Sequence, residues 1–508
     1  MIVDFGGQYC HLIGRRIRQL GVYSEIIPYD LAGEQTVSSK RKLKVKGTIL
    51  SGGPSRVYDD GAPKSSVDVL ALGMPIMGLC YGHQLIAFLS GGRVGVGQKK
   101  EYGTTRATIT KPIGVLRGMR KHEKVWMSHG DVVLEIPQEY EVLAYTENCP
   151  VAAFKHRDKP IYGLQWHPEV IHTERGMETL RNFVFYVCKC KANYRPTDFL
   201  TNASRRIRQI VGCKKAIIAL SGGIDSSTAA VLAAKAIGAN LTAVFVDHGL
   251  MRAGEPESIP TTLQELKVKL IVMDAKKRFL KRLRGISDPE QKRRIVGKEF
   301  IKVFEGVAED IGAEYLIQGT IYPDRIESGA RKHSEKIKTH HNVGGLPTKV
   351  KFKAILEPLS DLYKDEVRKV ADRLGIPKEV IQRQPFPGPG LSVRVMGSVT
   401  QEKIDVVRKA DEIVTGEIEK SGLRGKLWQY FAVLTDTKST GIKGDSRAYG
   451  YTVAIRAVES LEAMTAKYTN MPYRILERIS TRITNEIPQV TRVVYDVTNK
   501  PPATIEWE

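Results

Sequence analysis

Cysteine is scarce, six in 508 residues. That is too few for a disulfide framework, and a reducing, cytoplasmic setting is the expectation. No apolar run reaches the ~18 residues of a membrane-spanning helix. Met1-Ile2-Val3-Asp4-Phe5 has neither the basic start nor the apolar stretch of a secretory leader. Internal repeats, low-complexity tracts and heptad runs are missing, so solenoid and coiled-coil architectures are not expected. Acidic side chains fall short of basic ones, 56 against 78, leaving a formal charge of +22. Such a field attracts phosphates of any kind, nucleotide or nucleic acid, and equally suits a solubilising surface. What remains is ordinary globular composition, 42% hydrophobic and 26% charged, with length for about three domains.

Short apolar runs alternating with helical patterns set the organisation. Gly47-Thr48-Ile49-Leu50 and Pro75-Ile76-Met77-Gly78-Leu79 read as buried strands that end in glycine-rich turns. Strand–helix alternation predicts a mostly parallel sheet. The pattern breaks over Lys189–Thr197, restarts with Ala216-Ile217-Ile218-Ala219-Leu220, and breaks again at Pro385-Phe386-Pro387-Gly388-Pro389-Gly390, where no helix or central strand can run. The expectation is α/β throughout: two doubly wound, mostly parallel-sheet domains over residues 1–190 and 195–385, then a smaller α+β domain over 386–508.

In the first block, Gly78-Leu79-Cys80-Tyr81-Gly82 follows a strand and precedes an amphipathic run. A glycine-flanked strand-to-helix turn lifts a nucleophile above a sheet and aims it at a helix N-terminus. Alone, the pattern fits a buried cysteine in a turn just as well. Gln165-Trp166-His167-Pro168-Glu169 changes that balance. In an extended segment His167 and Glu169 project to one side, so His167 can act as base to Cys80 while Glu169 orients it. Ser51-Gly52-Gly53-Pro54 offers backbone N–H groups to an oxyanion. Together with Asp4-Phe5-Gly6-Gly7-Gln8-Tyr9, these segments resemble the triad (class I) glutamine amidotransferases. The resemblance implies a thioester on Cys80, oxyanion donors at Gly53 and Tyr81, and glutamine contacts at Gln84 and Asp131. For His129, beside Asp131, a structural or substrate-loop role is expected, and Cys188 and Cys190 lack the further ligands of a zinc site.

In the second block, Ser221-Gly222-Gly223-Ile224-Asp225-Ser226-Ser227 sits between an apolar strand and a helix. Glycines let the backbone close on a ligand, and helix N–H groups suit a phosphate. A tight turn with serine caps is the plain alternative, but Asp225 beside a phosphate fits Mg²⁺ chelation. The chain lacks a Gly-x4-Gly-Lys-Ser/Thr loop, which argues against a standard NTPase. The segment resembles the pyrophosphate loop of the ATP pyrophosphatases. That implies ATP cleaved to AMP and pyrophosphate, with Mg²⁺ and with Val246 at the adenine.

Asp247-His248-Gly249-Leu250-Met251-Arg252, Gly319 to Asp324, Lys338 to Pro347 and Lys500 to Glu508 narrow this further. They are similar to the glutamine-hydrolysing GMP synthases, end to end. Gly7 and Cys10 depart from that pattern, as does the basic tract Ser39–Lys44. The resemblance implies XMP, ATP and glutamine as substrates, with XMP held by Arg293, Gln429, Asp445, Lys500 and Glu506, and a homodimer formed through the last block. His340 and His341 fit a loop over the site rather than a metal pair. Lys276-Lys277-Arg278 and Lys281-Arg282 fit a solvated helix face or an RNA contact. The rival is a tRNA-modifying ATP pyrophosphatase gripping RNA, which leaves the cysteine block unexplained; nucleic acid and membrane partners are not expected.

Overall fold

The computed structural model describes residues 1–32, 44–64, 69–71, 73–324, 352–460 and 465–508. The chain forms two compact units, one over Met1–Arg195 and a second that begins at Pro196 and runs to Glu508. Among the described residues no helix is long and apolar enough to cross a membrane. The Lys338–Pro347 segment, with His340 and His341, and Ser39–Leu43 of the basic tract lie outside the described residues.

The first unit is built on a nine-stranded sheet among the described residues. Its strands are β1 (Ile2–Asp4), β2 (Ile26–Pro28), β3 (Thr48–Leu50), β4 (Ile76–Leu79), β5 (Arg93–Ile109), β6 (His122–Glu135), β7 (Tyr140–Tyr145), β8 (Ala153–His156) and β9 (Ile161–Leu164), in the order 2-1-3-4-9-8-7-5-6. From β2 to β9 the pairing is parallel. Strands covered on both faces must be apolar throughout, and β3 and β4 are buried at every residue. Beyond β9 the pairing turns antiparallel. In β6, Glu123, Val125, Met127, His129 and Asp131 alternate inward, the period-two pattern of a half-covered sheet. The α/β class holds, while this antiparallel flank adds to the parallel core that strand–helix alternation predicts.

The second unit contains a parallel sheet of β10 (Ala216–Leu220), β11 (Leu241–Asp247), β12 (Leu270–Asp274), β13 (Tyr315–Ile317) and β14 (Ala354–Leu356), in the order 12-11-10-13-14. The order reverses at β10, so the loop leaving β10 opens at the switch point where α/β sheets bind ligands. Downstream lie β15 (Gln429–Lys443), β16 (Ser446–Glu459), β17 (Lys467–Tyr468) and β18 (Val490–Tyr495), a mostly antiparallel sheet covered by the helix Gln401–Lys420. One apolar cluster runs from Ile217, Val244 and Phe279 through Ile404 and Val414 to Val453 and Ile483, so both sheets of this unit share a core. The stretch Pro385–Gly390 lies against it through Phe386 and buries its last two residues, Pro389 and Gly390. Leu391 N–H donates to Leu250 O at 2.7 Å, and the Phe386 ring lies 4.5 Å from the Arg252 guanidinium and 5.1 Å from that of Arg394.

The basic run on the helix Lys276–Leu283 is partly accounted for by pairing. Arg278 and Arg282 meet the buried Glu299 carboxylate at 2.8 and 3.4 Å, and Lys302 joins at 3.0 Å.

The C-terminal tail is tied down by a buried arginine on β16. Arg456 donates to Thr498 O (2.6 Å), Thr504 O (3.0 Å) and Ile505 O (3.4 Å), and pairs with Asp496 at 3.2 Å. Removing one partner of a buried charge pair leaves the other desolvated and alone, at about 3–5 kcal/mol. Arg456→Met is therefore expected to destabilise the second unit by about that much in denaturant unfolding, and a loss under ~1 kcal/mol would mean that other contacts hold the tail.

Candidate functional site

The cysteine turn is shaped by two close approaches. A Cβ on Gly78 would lie 2.3 Å from Gly82 O, and one on Gly82 would lie 2.4 Å from Leu50 O. Only glycine fits either place. The turn holds Cys80 at φ +52°, a conformation non-glycine residues rarely adopt, directly before the helix Tyr81–Leu89. Tyr81 N–H, in the first turn, has no acceptor within the helix. The loop after β3 closes over the sulfur: a Cβ on Gly52 would meet Cys80 Cβ at 3.7 Å and His167 Cε1 at 3.2 Å, and Gly53 packs against Phe5 and Tyr81.

His167 Nδ1 and Glu169 Oε1 are 2.7 Å apart, both buried. Burial works against a charged imidazole, but the Glu169 carboxylate and the adjacent Cys80 sulfur outweigh it and hold His167 well above the ordinary histidine value. Cys80, His167 and Glu169 thus come together in one buried cluster. Gln84 Nε2 donates to Asp131 O at 2.8 Å, and the Asp131 carboxylate accepts from Tyr58 OH at 3.0 Å, so the two glutamine candidates also meet. His129 is tied to Glu101 at 3.1 Å and to Asp131 O at 3.1 Å. Burial pushes the Cys188 thiol up to about 12, and among the described residues no cluster of three or more His, Cys, Asp or Glu could hold a metal ion.

In the second unit, Ser221–Ser227 leaves β10 and enters the helix Ile224–Ile237. Ser221 and Ser226 hydroxyls are 3.1 Å apart, and Ser226 donates to Gly223 O at 3.1 Å. These bonds brace the loop at the start of the helix, whose first-turn N–H groups have no acceptor in earlier helix turns. Asp225 Oδ2 pairs with Lys364 Nζ, whereas Asp225 Oδ1 is buried with no hydrogen-bond partner. Val246 lies in β11 with its side chain in the core, leaving only main chain for a ligand.

The tail candidates converge in part. Glu506 accepts from Gln429 Nε2 at 2.7 Å and from Arg394 at 3.1 and 3.2 Å. Arg293 grips the main-chain oxygen of Glu508, and the buried Lys292 holds its side chain. Lys500 pairs through its main chain with Ala466. Asp445 stands apart, exposed at the turn between β15 and β16, roughly 45 Å of strand away from Gln429.

Residues 1–187 match the family Glutamine amidotransferase class-I, residues 197–293 match NAD synthase, and residues 416–507 match the GMP synthase C terminal domain. The chain is 51% identical over 510 residues to GMP synthase (glutamine-hydrolyzing) of Caldicellulosiruptor saccharolyticus, covering 100% of this chain and 99% of that one. It is 52% identical over 511 residues to the protein so named in Aeropyrum pernix, covering 100% and 98%. The chain belongs to the glutamine-hydrolysing GMP synthase family. Full-length identity at this level does not favour the tRNA-modifying alternative.

A GMP synthase is a carbon–nitrogen ligase with glutamine as amido donor, and both halves of that task have a counterpart in the geometry. Three contacts were not expected from sequence: Lys364 on Asp225, Arg383 Nη1 on Gly222 O at 3.0 Å, and Arg394 on Glu506. Only the proline-glycine stretch beside Arg383 and Arg394 could have drawn attention to those two.

The His167–Glu169 pair has a pH signature. A folded-state pKa raised above the ordinary 6.5 contributes stability in full below pH 6.5 and loses it as pH climbs through the raised value. Glu169→Gln should therefore lower the melting temperature of the first unit most below pH 6.5 and progressively less in alkali. A penalty that is flat or grows with pH would contradict the assigned direction.

Proposed function

We propose that glutamine hydrolysis at Cys80 supplies the ammonia that replaces the C2 oxygen of XMP after ATP has activated it. The three blocks, 1–190, 195–385 and 386–508, then serve as glutaminase, ATP pyrophosphatase, and XMP-binding and dimerisation domains of a cytoplasmic enzyme. What carries the reading is the presence in one chain of a buried Cys80–His167–Glu169 set and an open phosphate loop at a switch point.

Cys80 Sγ attacks the glutamine carboxamide carbon. His167 takes the thiol proton and returns it to the departing nitrogen, Glu169 holds the imidazole in register, and N–H groups of Gly53 and Tyr81 receive the oxyanion. Ammonia leaves, and water cleaves the thioester to glutamate. Gln84 and the Asp131 carboxylate hold the amino-acid end. In the second unit XMP O2 attacks the ATP α-phosphorus, and pyrophosphate departs into Ser221, Gly222, Gly223, Ile224, Asp225, Ser226 and Ser227, with Val246 main chain at the adenine. Ammonia then adds at C2 and AMP leaves with the oxygen, giving GMP. Magnesium fits here: it takes one or two carboxylates and completes its shell with phosphate oxygens and water, and Asp225 presents an unpartnered buried oxygen. Asp225 would hold the ion, which supplies charge neutralisation for the leaving pyrophosphate.

Arg293, Gln429, Lys500 and Glu506 are read as the XMP ligands of one chain. Asp445 can join them only from a second copy, which supports the homodimer. Inactive Asp445→Ala and Glu506→Ala chains, mixed and re-associated, should regain synthesis; mixtures that stay inactive would place Asp445 outside the site.

Incubation with XMP, ATP, magnesium and glutamine should yield GMP with AMP, and ADP in place of AMP would overturn the reading. Cys80→Ala should lose glutamine-dependent synthesis yet keep synthesis from ammonium salts. Asp225→Asn should lose both while glutamine hydrolysis at Cys80 persists. An Asp225→Asn enzyme with normal ammonium-dependent turnover would refute the magnesium role.

A further inference from the structure

The phosphate loop contains a peptide that only one long local bond holds. Gly222 sits at φ +73° and is followed by Gly223, so the unit between them has no Cβ on either side to oppose rotation. A stiffening side chain at Gly222 would be strained at that φ and would have to displace Ile259, whose Cδ1 would lie 2.3 Å from a Cβ there. The internal bond to this peptide is weak: Gly223 N–H reaches Ser221 Oγ at 3.4 Å. In a trans peptide the carbonyl and the N–H point to opposite sides. Whatever fixes Gly222 O therefore also decides where Gly223 N–H points.

That oxygen is fixed from a distance. Arg383 Nη1 donates to Gly222 O at 3.0 Å, across 161 residues of sequence. Arg383 is itself well anchored. Its N–H bonds to Val380 O at 3.3 Å, and its neighbours Gln384 and Pro385 accept from Tyr430 N–H (2.9 Å) and Gln429 Nε2 (3.1 Å). The buried Glu255 carboxylate lies 3.9 Å from the same nitrogen, which keeps the guanidinium from straying.

We infer that Arg383 is a positioning residue for ATP: by holding the Gly222 carbonyl outward it keeps Gly223 N–H turned toward the pyrophosphate moiety. The inference rests on the reading of Ser221–Ser227 as the pyrophosphate loop. It adds a residue that acts through the backbone and not on the nucleotide.

Arg383→Met and Arg383→Lys in the full-length enzyme test it, using ammonium as nitrogen donor. Losing a charge-assisted hydrogen bond corresponds to about one to two decades in affinity. Arg383→Met should raise KM for ATP about tenfold or more, and weaken inhibition by inorganic pyrophosphate by a similar factor. Inhibition by AMP, half-saturation for XMP and glutamine hydrolysis at Cys80 should stay within about twofold. Arg383→Lys, which keeps a donor, should recover most of the pyrophosphate affinity. Equal weakening of AMP and pyrophosphate, or an unchanged pyrophosphate response in Arg383→Met, would overturn the inference. If the wild-type enzyme fails to make AMP and pyrophosphate, the underlying reading fails instead, and the two failures are told apart before any variant is made.

Discussion

The second unit closes around one guanidinium. Arg394 is fully buried, and a charge taken out of water costs several kcal/mol unless its partners replace the lost solvation. Its partners are Glu506 at 3.1 and 3.2 Å, Asp411 at 3.3 Å, and the ring faces of Phe431 and Phe386 at 4.0 and 5.1 Å. They come from the tail, the helix Gln401–Lys420, β15 and the proline-glycine stretch. Each element must be in place before the arginine is satisfied, so the ion cluster specifies their arrangement even where its net stabilisation is small. The neighbouring Arg252 extends it, pairing with Asp411 at 3.3 Å and lying 3.8 Å from Glu255. Charges alternate along this buried line, which is why three carboxylates and two arginines coexist there.

The first unit applies the same rule on a smaller scale. His167 and Glu169 are two residues apart and need no distant partner to neutralise each other. Arg16 steadies the second of them by donating to Glu169 O at 3.0 Å. Tyr9 adds an edge contact to the imidazole, ring centroids 4.9 Å apart. A local pair can be read from a short motif, whereas a long-range cluster cannot.

That difference sets what was legible in the sequence. The parallel strands, the cysteine turn and the phosphate loop are each written in fewer than ten consecutive residues, with glycines and apolar runs as punctuation. Grouping Cys80 with His167 and Glu169 needed one long-range step, which the His167–Glu169 spacing suggested and the family resemblance reinforced. Lys364 and Arg383 reach the phosphate loop from 139 and 161 residues away; Lys364 lies in a stretch whose composition is that of any solvated surface, and Arg383 is marked only by the proline-glycine stretch beside it. The antiparallel strands β5 to β8 were missed for another reason. Their half-exposed faces carry polar residues, and the strand signal there is alternation rather than an apolar run. Asp445 was named from the resemblance alone, and sequence adjacency says nothing about which end of a 15-residue strand a turn occupies.

The backbone at residue 80 has a consequence for how this fold can change over time. A cysteine at φ +52° occupies a conformation that glycine adopts freely and other residues adopt at a cost of about 1–3 kcal/mol. The mutation that deletes the nucleophile most completely, Cys80→Gly, also relieves that cost. Against that relief stand the burial of the Cys80 side chain and the contacts of its sulfur with Gln165 Nε2 and Ser128 O, both at 3.7 Å, so the backbone of this turn and the side chain it carries pull the choice of residue in opposite directions.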